Sequence, residues 1–448
     1  MARGKKKETL TPEERLQAAL VPESEQPYKV PGNWCFFYFT SLIDVEGGTQ
    51  PPKSQFISEY REGYVRLVQI RDFASDQYIV FVPDTAKLKH FNDDDILIAR
   101  YGASLGRICT GMSGTYNVAL AKTIFSSNIL NRNYVYWMLQ SESFQVPLMA
   151  ISRTAQAGFN KEDLSAFLMP LSPLPEQQRI VDRIETLFAK LDEAKQKAQD
   201  ALDSFETRKA AILHKAFTGE LTAQWRKEHG VGMESWERLK LGEIGTLERG
   251  RSQHRPRNDP RLFGGPYPFI QTGDVASANV YITEHHQTLS EFGMEQSRMF
   301  SAGTLCITIA ANIGDVAILS YDCCFPDSVV GFIPNSRSIS KFIYYMMSVL
   351  QKELEDNAPA TAQKNINLKI LNGVEMNIPP VIEQTEIVRI LDDLLAKEQQ
   401  AKEAAEGVLE QIDLIKKAIL ARAFRGELGT NDPNEESAQE LLKKSLIP

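Results

Sequence analysis

The chain has 448 residues and a mass of 50.4 kDa, enough for two or three domains with separate cores. Apolar residues make up 43% and charged residues 24%, as in ordinary globular proteins, and no apolar stretch is long enough to predict a transmembrane helix. The basic N-terminus lacks the apolar segment of a signal peptide. Five cysteines without a CxxC pair argue against a disulfide framework or a zinc knuckle, so we expect a reducing compartment, the cytoplasm.

The net charge of −8 is unevenly distributed along the chain. Residues 1–26, 27–172 and 173–229 are each neutral, whereas residues 230–379 carry −3 and residues 380–448 carry −5. Proteins that bind nucleic acid are often basic. Any affinity of this chain for DNA must therefore come from local basic patches or from a partner protein.

In chain order, the sequence pattern predicts an arm, two globular domains that are each followed by a helical spacer, and a tail. The arm is residues 1–26, with a short helix at Pro12–Leu20. Domain 1 is residues 27–172, with β-rich runs such as Tyr64–Ile70 and a helix at Asn133–Gln140, and spacer 1 is residues 173–229. Domain 2 is residues 230–379, with runs such as Leu305–Ile309 and a helix at Ser340–Leu354, and spacer 2 is residues 380–429. The tail, residues 430–448, is expected to end in a short helix at Asn434–Leu446. These patterns predict domains of the α+β class.

The chain also repeats itself, which is the strongest single clue to its organisation. Residues 176–221 match the residues 207 positions later at 20 of 46 places. Earlier in each half the offset is 202, where Trp34, Gly48, Gln69 and Asp72 match Trp236, Gly250, Gln271 and Asp274. Between these positions the halves differ almost everywhere. The sequence therefore predicts two copies of one unit, similar in the spacer and dissimilar in the middle of the globular domain.

Each spacer has the heptad pattern of a coiled-coil helix. Apolar residues recur in alternating steps of four and three from Ile180 to Ile212 and again from Ile387 to Ile419. Pro175 and Pro380 precede the two helices, and Gly219 and Gly426 lie where the helices are expected to end. Two charged residues, Arg208 and Glu398, interrupt the apolar seams.

The motifs at the ends of the spacers resemble those of a known family. They are Pro173-Leu-Pro-Glu-Gln-Gln-Arg-Ile-Val181 and Ala216-Phe-Thr-Gly-Glu-Leu221, with second copies at Pro380-Val-Ile-Glu-Gln384 and Ala423-Phe-Arg-Gly-Glu-Leu428. Together with the repeat and the heptads, they resemble the specificity (S) subunit of type I restriction–modification systems. The resemblance covers residues 30–430 approximately.

The resemblance implies an α+β fold with two tandem target recognition domains, separated by two long antiparallel coiled-coil helices in a pseudo-twofold repeat. Each domain would read one half of a bipartite sequence in double-stranded DNA. The helices would set the spacing and dock two methyltransferase subunits, which restriction subunits would join. The chain itself would be non-catalytic and hold no cofactor or metal, while S-adenosylmethionine, ATP and magnesium would belong to the partner subunits.

Two other classes of function stay open at this point. A DNA methyltransferase or nuclease with its own active site is the main alternative, although the sequence lacks a Walker loop, and Asn377-Ile-Pro-Pro380 has the wrong spacing and no aromatic residue for a methyltransferase motif. A coiled-coil scaffold with carbohydrate-binding or peptide-binding domains is the other. Methylation by the chain alone would distinguish the first, and salt-dependent DNA binding would argue against the second.

The clearest candidate for DNA contact is an arginine-rich loop in domain 2. Glycine and proline interleave its basic residues, which are Arg249, Arg251, His254, Arg255, Arg257 and Arg261. Arginine suits both phosphate contacts and the edge of guanine, so DNA contact is favoured over a merely solvated loop. The equivalent loop in domain 1, Gly48–Arg61, is less basic, with Lys53 and Arg61.

Three further candidate sets recur in both halves. They are Gln69 and Asp72 with Gln271 and Asp274, then Ser104 and Arg107 with Asn312, then Gln156 and Asn160 with Gln363 and Asn367. Amide side chains suit adenine. Because the sets recur in two domains that should read different sequences, they cannot all set specificity, and we expect them to hold the DNA backbone or to shape loops. Trp34 and Trp236 are expected to be core residues rather than base-stacking residues.

The two charged residues in the seams predict a register for the helix pair. In an antiparallel pair, the numbers of facing residues have a constant sum. Placing Arg208 opposite Glu398 also places Leu191 opposite Ile415, which is the symmetry-related pair. It places Ala198 opposite Val408 and Phe205 opposite Ala401, so that small residues meet large ones. We therefore predict an ion pair between Arg208 and Glu398 that fixes the register of the subunit.

Overall fold

The computed structural model describes residues 11–152, 158–310, 313–356 and 366–446. The chain forms two compact units: unit 1 is residues 1–198 with residues 407–448, and unit 2 is residues 199–406. Each unit contains one globular domain of mixed α and β structure together with parts of the long helices. Within the described ranges, no helix is long and apolar enough to cross a membrane.

Short helices surround the sheets of both units, and longer helices form the spacers. The helices that begin in unit 1 before residue 199 are α1 (Pro12–Ala19), α2 (Phe39–Leu42), α3 (Arg132–Gln140), α4 (Glu142–Ser152) and α5 (Leu174–Asp203). Those that begin in unit 2 are α6 (Phe205–Phe217), α7 (Ala223–His229), α8 (Leu241–Ile244), α9 (Thr272–Ser277), α10 (Glu291–Glu295), α11 (Ser340–Asp356), α12 (Leu368–Asn372) and α13 (Val381–Ala423). The final helix, α14 (Ala438–Leu446), belongs to unit 1. A capping box between Thr11 and Glu14 starts α1 at the predicted place.

Unit 1 contains a two-stranded ribbon and two four-stranded sheets. Its strands are β1 (Cys35–Tyr38), β2 (Asp44–Gly47), β3 (Tyr64–Val68), β4 (Phe81–Pro83), β5 (His90–Phe91), β6 (Leu97–Ala99), β7 (Ile108–Cys109), β8 (Gly114–Tyr116), β9 (Leu120–Ile124) and β10 (Leu168–Leu171). The ribbon pairs β1 with β10, and the sheets have the orders β2-β9-β6-β7 and β4-β3-β8-β5. Only the β3–β8 pair is parallel among these strands.

Unit 2 repeats this plan with one additional strand. Its strands are β11 (Glu237–Lys240), β12 (Gly245–Arg249), β13 (Phe263–Phe269), β14 (Tyr281–Ile282), β15 (Gln287–Leu289), β16 (Met299–Phe300), β17 (Leu305–Thr308), β18 (Val316–Leu319), β19 (Cys323–Cys324), β20 (Val329–Pro334) and β21 (Glu375–Ile378). The ribbon pairs β11 with β21, and the sheets have the orders β12-β20-β17-β18-β14 and β15-β13-β19-β16. The internal repeat seen in the sequence is thus a repeat of topology.

The repeated glutamine at the start of each long helix ties that helix to its domain. Gln177 accepts a hydrogen bond from the Asn131 backbone N–H at 2.7 Å and donates to the Ile129 carbonyl at 2.9 Å. Gln384 does the same with the Ile339 N–H at 3.1 Å and the Arg337 carbonyl at 2.8 Å. Both glutamines are fully buried, so these bonds replace those to water that burial removes.

The repeated glutamate beside it lies in a buried junction, although the two junctions differ in charge. In unit 1, Glu176 accepts hydrogen bonds from Trp34 Nε1 at 2.7 Å, Asn431 Nδ2 at 2.9 Å and Thr430 Oγ1 at 3.1 Å. All three donors are neutral, and two of them come from the tail. In this Glu176 junction the tail is therefore a structural part of unit 1.

In unit 2, the corresponding Glu383 junction contains a cation. Glu383 accepts from Trp236 Nε1 at 3.0 Å, Thr222 Oγ1 at 2.7 Å and Arg226 Nη1 at 2.6 Å. The side chains of Arg226 and Glu383 are 8% and 0% exposed. Trp34 and Trp236, at the start of the two domains, are thus core-packing residues, as predicted.

The long helices run antiparallel within each unit. In unit 2, Arg208 Nε of α6 donates to Glu398 Oε2 of α13 at 2.8 Å, so the ion pair predicted from the seams is formed. In unit 1, Lys416 Nζ lies 2.5 Å from Asp192 Oδ1. The two residue numbers of this pair have nearly the same sum as those of Arg208 and Glu398, as expected for an antiparallel pair of helices. That the Arg208–Glu398 pair fixes the register stays a prediction.

Two details of the helices differ from the predicted pattern. The first spacer is interrupted at Ser204 between α5 and α6, where the Ala201 carbonyl accepts from the Ser204 hydroxyl at 3.1 Å and from Arg208 at 3.2 Å. Side-chain donors that compete for a helix carbonyl favour such an interruption. In addition, Val408 and Ile415 are 41% and 43% exposed although both were placed in the seam. An α-helix of 3.6 residues per turn drifts away from a strict heptad.

Candidate nucleic-acid interface

The arginine-rich loop connects β12 to β13 and is anchored by its first glycine. The Gly250 N–H donates to the Val329 carbonyl at 2.9 Å, and the Arg251 N–H donates to the Phe325 carbonyl at 3.2 Å. A Cβ atom at Gly250 would overlap the carbonyls of Phe325 and Pro326. Only glycine allows the loop to leave the sheet this close to the turn between β19 and β20.

Two arginines of this loop are neutralised by carboxylates of the same unit. Arg257 Nη2 contacts both carboxylate oxygens of Asp327 at 3.0 Å. Arg261 Nη2 lies 2.7 Å from Asp259 Oδ2, and this guanidinium, together with His254, holds the pKa of Asp259 well below its usual range. These residues fold the loop onto the domain, and their charges are compensated.

The remaining three arginines have no carboxylate partner among the described residues. Arg249 donates to the Asp327 carbonyl, and Arg255 Nη1 donates to the carbonyls of Ser252 at 2.6 Å and His254 at 2.8 Å. Arg251 Nη2 donates only to Gln253 Oε1, at 2.5 Å. All three side chains are exposed, so the uncompensated positive charge of the loop faces solvent.

The structure places Gln271 beside this loop. Arg251, His254, Gln271 and Gln287 line one cavity of about 490 Å³, with an apolar part formed by residues such as Phe269. Gln271 Nε2 donates to Gln287 Oε1 at 2.9 Å. The cavity thus combines a guanidinium with a pair of amides, the side chains that hydrogen-bond to base edges.

Asp274 has a different role from Gln271. Its Oδ2 accepts the Gln271 backbone N–H at 2.7 Å and so caps α9, while Oδ1 contacts His286 Nδ1 at 3.0 Å. In unit 1 the match is close: Asp72 Oδ2 accepts the Gln69 N–H at 2.8 Å. The aspartates are loop-shaping caps that fix the position of the glutamines.

The interface of unit 1 has the same scaffold with different side chains. A cavity of about 850 Å³ is lined by Gln50, Lys53, Gln69 and Arg71, among others. Gln69 Nε2 and Asp72 Oδ1 are buried and have no hydrogen-bond partner within the described part of the chain. Burial of Asp72 raises the pKa of its carboxyl group.

The other predicted residues are of three kinds: some form tertiary contacts, some shape turns or cap helices, and some lie outside the residues that the structure describes. Arg107 Nη2 donates to the Phe73 carbonyl at 3.2 Å, which brings its turn next to the Gln69 loop, and Ser104 is half-buried in that turn. Asn160 Oδ1 accepts the Asp163 N–H at 3.1 Å, and Asn367 Oδ1 accepts the Ile370 N–H at 3.0 Å. Asn367 therefore caps α12, and Asn160 shapes the turn that precedes Leu164. Gln156, Asn312 and Gln363 lie outside the described residues.

Sequence reasoning missed several polar or aromatic groups at these surfaces. Gln287 reaches Gln271 only because β15 pairs with β13 in a register that places Gln287 opposite Phe269. In unit 1, Tyr60 and Tyr78 are 71% and 50% exposed, and Arg71 stacks over the Tyr78 ring at 4.9 Å. The closeness of Tyr60 to Arg61 and of Tyr78 to Arg71 along the chain is the signal in the sequence that could have identified this patch.

Comparisons with known proteins agree with this architecture. The family model for the type I restriction modification DNA specificity domain matches residues 31–202 and 233–407. The chain is 22% identical to the type I restriction enzyme EcoKI specificity subunit of Escherichia coli (strain K12), over 93% of this chain and 95% of that protein. It is 24% identical to the MjaVIII specificity subunit of Methanocaldococcus jannaschii, over 91% of this chain and 95% of that protein.

Solved structures show the same fold. The HsdS subunit from Thermoanaerobacter tengcongensis has a TM-score of 0.66 at 20% identity, covering 90% of this chain and 100% of that chain. A chain from a structure that describes complex assembly and conformational transition of the type I restriction–modification system has the same TM-score and coverage. Because the family model matches both halves and more than half of the residues, this chain belongs to the type I restriction–modification specificity family and is a non-catalytic DNA specificity subunit.

Proposed function

We propose that the chain reads a split DNA target, one half with the globular domain of unit 1 and the other half with that of unit 2. The observation that carries this proposal is the duplicated interface. In both units a loop leaves a glycine, Gly48 or Gly250, and passes a glutamine whose backbone is capped by an aspartate. The side chains around this common scaffold differ between the units, as expected for two domains that recognise different DNA sequences.

The helices are proposed to set the distance between the two half-sites and to dock two methyltransferase subunits. Apolar side chains on the unit 1 part of α13 support the docking. Val408, Leu414 and Ile415 are 41%, 64% and 43% exposed, and exposed apolar patches on helices are typical of protein interfaces. Restriction subunits would join this assembly, and S-adenosylmethionine, ATP and magnesium would be bound by the partner subunits.

The acidic balance of the chain fits a shared DNA interface. Its net charge is −8, and two of the five arginines in the basic loop are compensated by Asp259 and Asp327. Most nonspecific affinity for DNA comes from neutralising phosphates. We infer that this part of the affinity is supplied mainly by the methyltransferase subunits, while this chain supplies selectivity.

The test is a reconstitution with three samples: the chain alone, the methyltransferase subunits alone, and the two together. Each is incubated with labelled S-adenosylmethionine and a DNA library, and the methylated positions are sequenced. We expect methylation at a split motif only in the combined sample. Methyl transfer by the chain alone, or the same methylation pattern with and without the chain, would overturn the proposal.

A further inference from the structure

One position in the duplicated interface has the same backbone in both units but a different side chain. The residue after the repeated glycine is Thr49 in unit 1 and Arg251 in unit 2. The Thr49 N–H donates to the Tyr116 carbonyl at 2.9 Å, and the Arg251 N–H donates to the Phe325 carbonyl at 3.2 Å. A Cβ at either glycine would overlap two carbonyls of the facing turn, so the glycine fixes where the next side chain begins.

The second common element is the glutamine at the end of the neighbouring β run. Gln69 and Gln271 are both held by an aspartate cap, and each lines the cavity beside its loop. In unit 2 Gln271 Nε2 uses one of its two protons for the bond to Gln287 Oε1, which leaves the Gln271 Oε1 as an acceptor and the second Nε2 proton as a donor on the same amide. An acceptor and a donor on one amide match the N6 and N7 edge of adenine.

Among the loop arginines, Arg251 is the one best placed to reach a base. Arg257 also lines the cavity, but it is held by Asp327, and Arg261, which is held by Asp259, does not line it. Arg249 donates to the Asp327 backbone carbonyl and Arg255 donates to the Ser252 backbone carbonyl. Arg251 lines the cavity together with Gln271 and is held only by the neutral Gln253 side chain. Its guanidinium keeps the forked pair of donors that guanine O6 and N7 accept.

We propose that Arg251 reads a guanine, and Gln271, oriented by Gln287, an adenine, in the half-site bound by the domain of unit 2. The loop position after the repeated glycine is then one position at which the two domains diverge in specificity, and the glutamine is an element that they share. Thr49 cannot make a bidentate contact with guanine, so the unit 1 half-site has no guanine read from this position. This inference rests on the proposed function and specifies which bases the domain of unit 2 recognises with these side chains.

The experiment uses the chain reconstituted with its methyltransferase subunits and a library randomised over both half-sites. The variants are Arg251→Ala, Arg251→Lys and Gln271→Ala. Arg238→Ala is the matched control, because this arginine is exposed and pairs with Glu375 at 2.8 Å on the β11–β21 ribbon, away from the cavity. The readouts are the selected motif, the affinity at several salt concentrations, and the thermal midpoint of each variant.

We expect Arg251→Ala to relax selection at one guanine of one half-site by roughly 5- to 150-fold, with the other half-site unchanged. Arg251→Lys should keep most of the affinity and lose much of this discrimination, because an ammonium is a point donor. Gln271→Ala should relax a different position, an adenine. The control should select the wild-type motif.

Two results would overturn the inference while leaving the proposed function intact. One is an unchanged motif for Arg251→Ala at an unchanged thermal midpoint. The other is a uniform loss of affinity for all sequences with a salt slope lower by about one, which is the signature of a phosphate contact. If the wild-type complex selects no split motif at all, it is the proposed function that fails.

Discussion

Removing the cation from the Glu383 junction should destabilise unit 2 strongly. Arg226 donates three hydrogen bonds: to Glu383 at 2.6 Å, to Thr222 Oγ1 at 2.9 Å and to the Gly219 carbonyl at 2.6 Å. The change Arg226→Met keeps the aliphatic stem but leaves a buried carboxylate without a counter-charge and a carbonyl without its donor. Breaking a buried ion pair from one side costs about 3–5 kcal/mol, and we expect that loss in the free energy of unfolding of unit 2.

The same reasoning predicts that a double change is milder than either single one. In Arg226→Met with Glu383→Leu, neither charge remains buried, so the cost should fall to that of the polar groups left unpaired, such as the Gly219 carbonyl, about 1–3 kcal/mol. In unit 1, Glu176→Gln leaves no cation behind, since its donors are Trp34, Thr430 and Asn431, and the expected cost is about 1–2 kcal/mol. Arg238→Met, in an ion pair whose side chains are 74% and 46% exposed, is the control and should cost less than about 1 kcal/mol.

The assay is hydrogen exchange followed by mass spectrometry in increasing urea, because it assigns each opening to a unit, whereas a single melting curve of a two-unit chain does not. Exchange should accelerate in unit 2 for Arg226→Met and in unit 1 for Glu176→Gln. An Arg226→Met variant within about 1 kcal/mol of wild type, or a double variant that costs the full sum of the two singles, would refute the account of this junction.

Three further predictions follow from the structure. In a double-mutant cycle, replacing either Arg208 or Glu398 by Leu should cost more than replacing both, because their contact is partly buried; equal or additive costs, measured by urea unfolding, would remove its register role. Burial raises the pKa of Cys35 and Cys323 to about 12 and that of Cys109 to about 11, whereas unfolded thiols ionise near about 8.5. Stability should therefore fall as pH rises above about 8.5, since only the unfolded state then loses these protons, and the native thiols should resist iodoacetamide at pH 8; rapid alkylation would contradict this. Finally, the chain alone should bind target DNA weakly at physiological salt and the complex tightly; equal affinities in a titration of labelled duplex would contradict the charge argument.

The helices and the repeat were predictable because their signals are local. Heptad spacing from Ile180 and from Ile387 predicted the long helices, and the matched Trp34 and Trp236 predicted two domains of one plan. The interruption at Ser204 was not predictable, since it depends on a competition among side-chain donors for one carbonyl. The exposure of Val408 was not predictable either, because a heptad pattern identifies apolar positions but does not say which of them another helix buries.

The site was predictable only as a set of loops. Sequence spacing identified the arginine cluster and the recurring glutamines, but the partners of these residues are distant in the chain. Arg257 pairs with Asp327 and Gln271 with Gln287, and such pairings depend on strand order and register. The sequence alone therefore could not distinguish arginines with a carboxylate partner from arginines without one, or helix caps from side chains that line a cavity.

Our main proposal is that two domains of this chain select two separate half-sites. It is tested most directly by mapping methylated bases across the genome of cells that carry this chain with its methyltransferase subunits, first with the wild-type chain and then with residues 230–379 exchanged for those of a relative. We expect a motif of two short half-sites separated by a gap of fixed length, in which the exchange alters one half-site and leaves the other half and the gap unchanged. A contiguous motif, or an exchange that alters both halves, would contradict it.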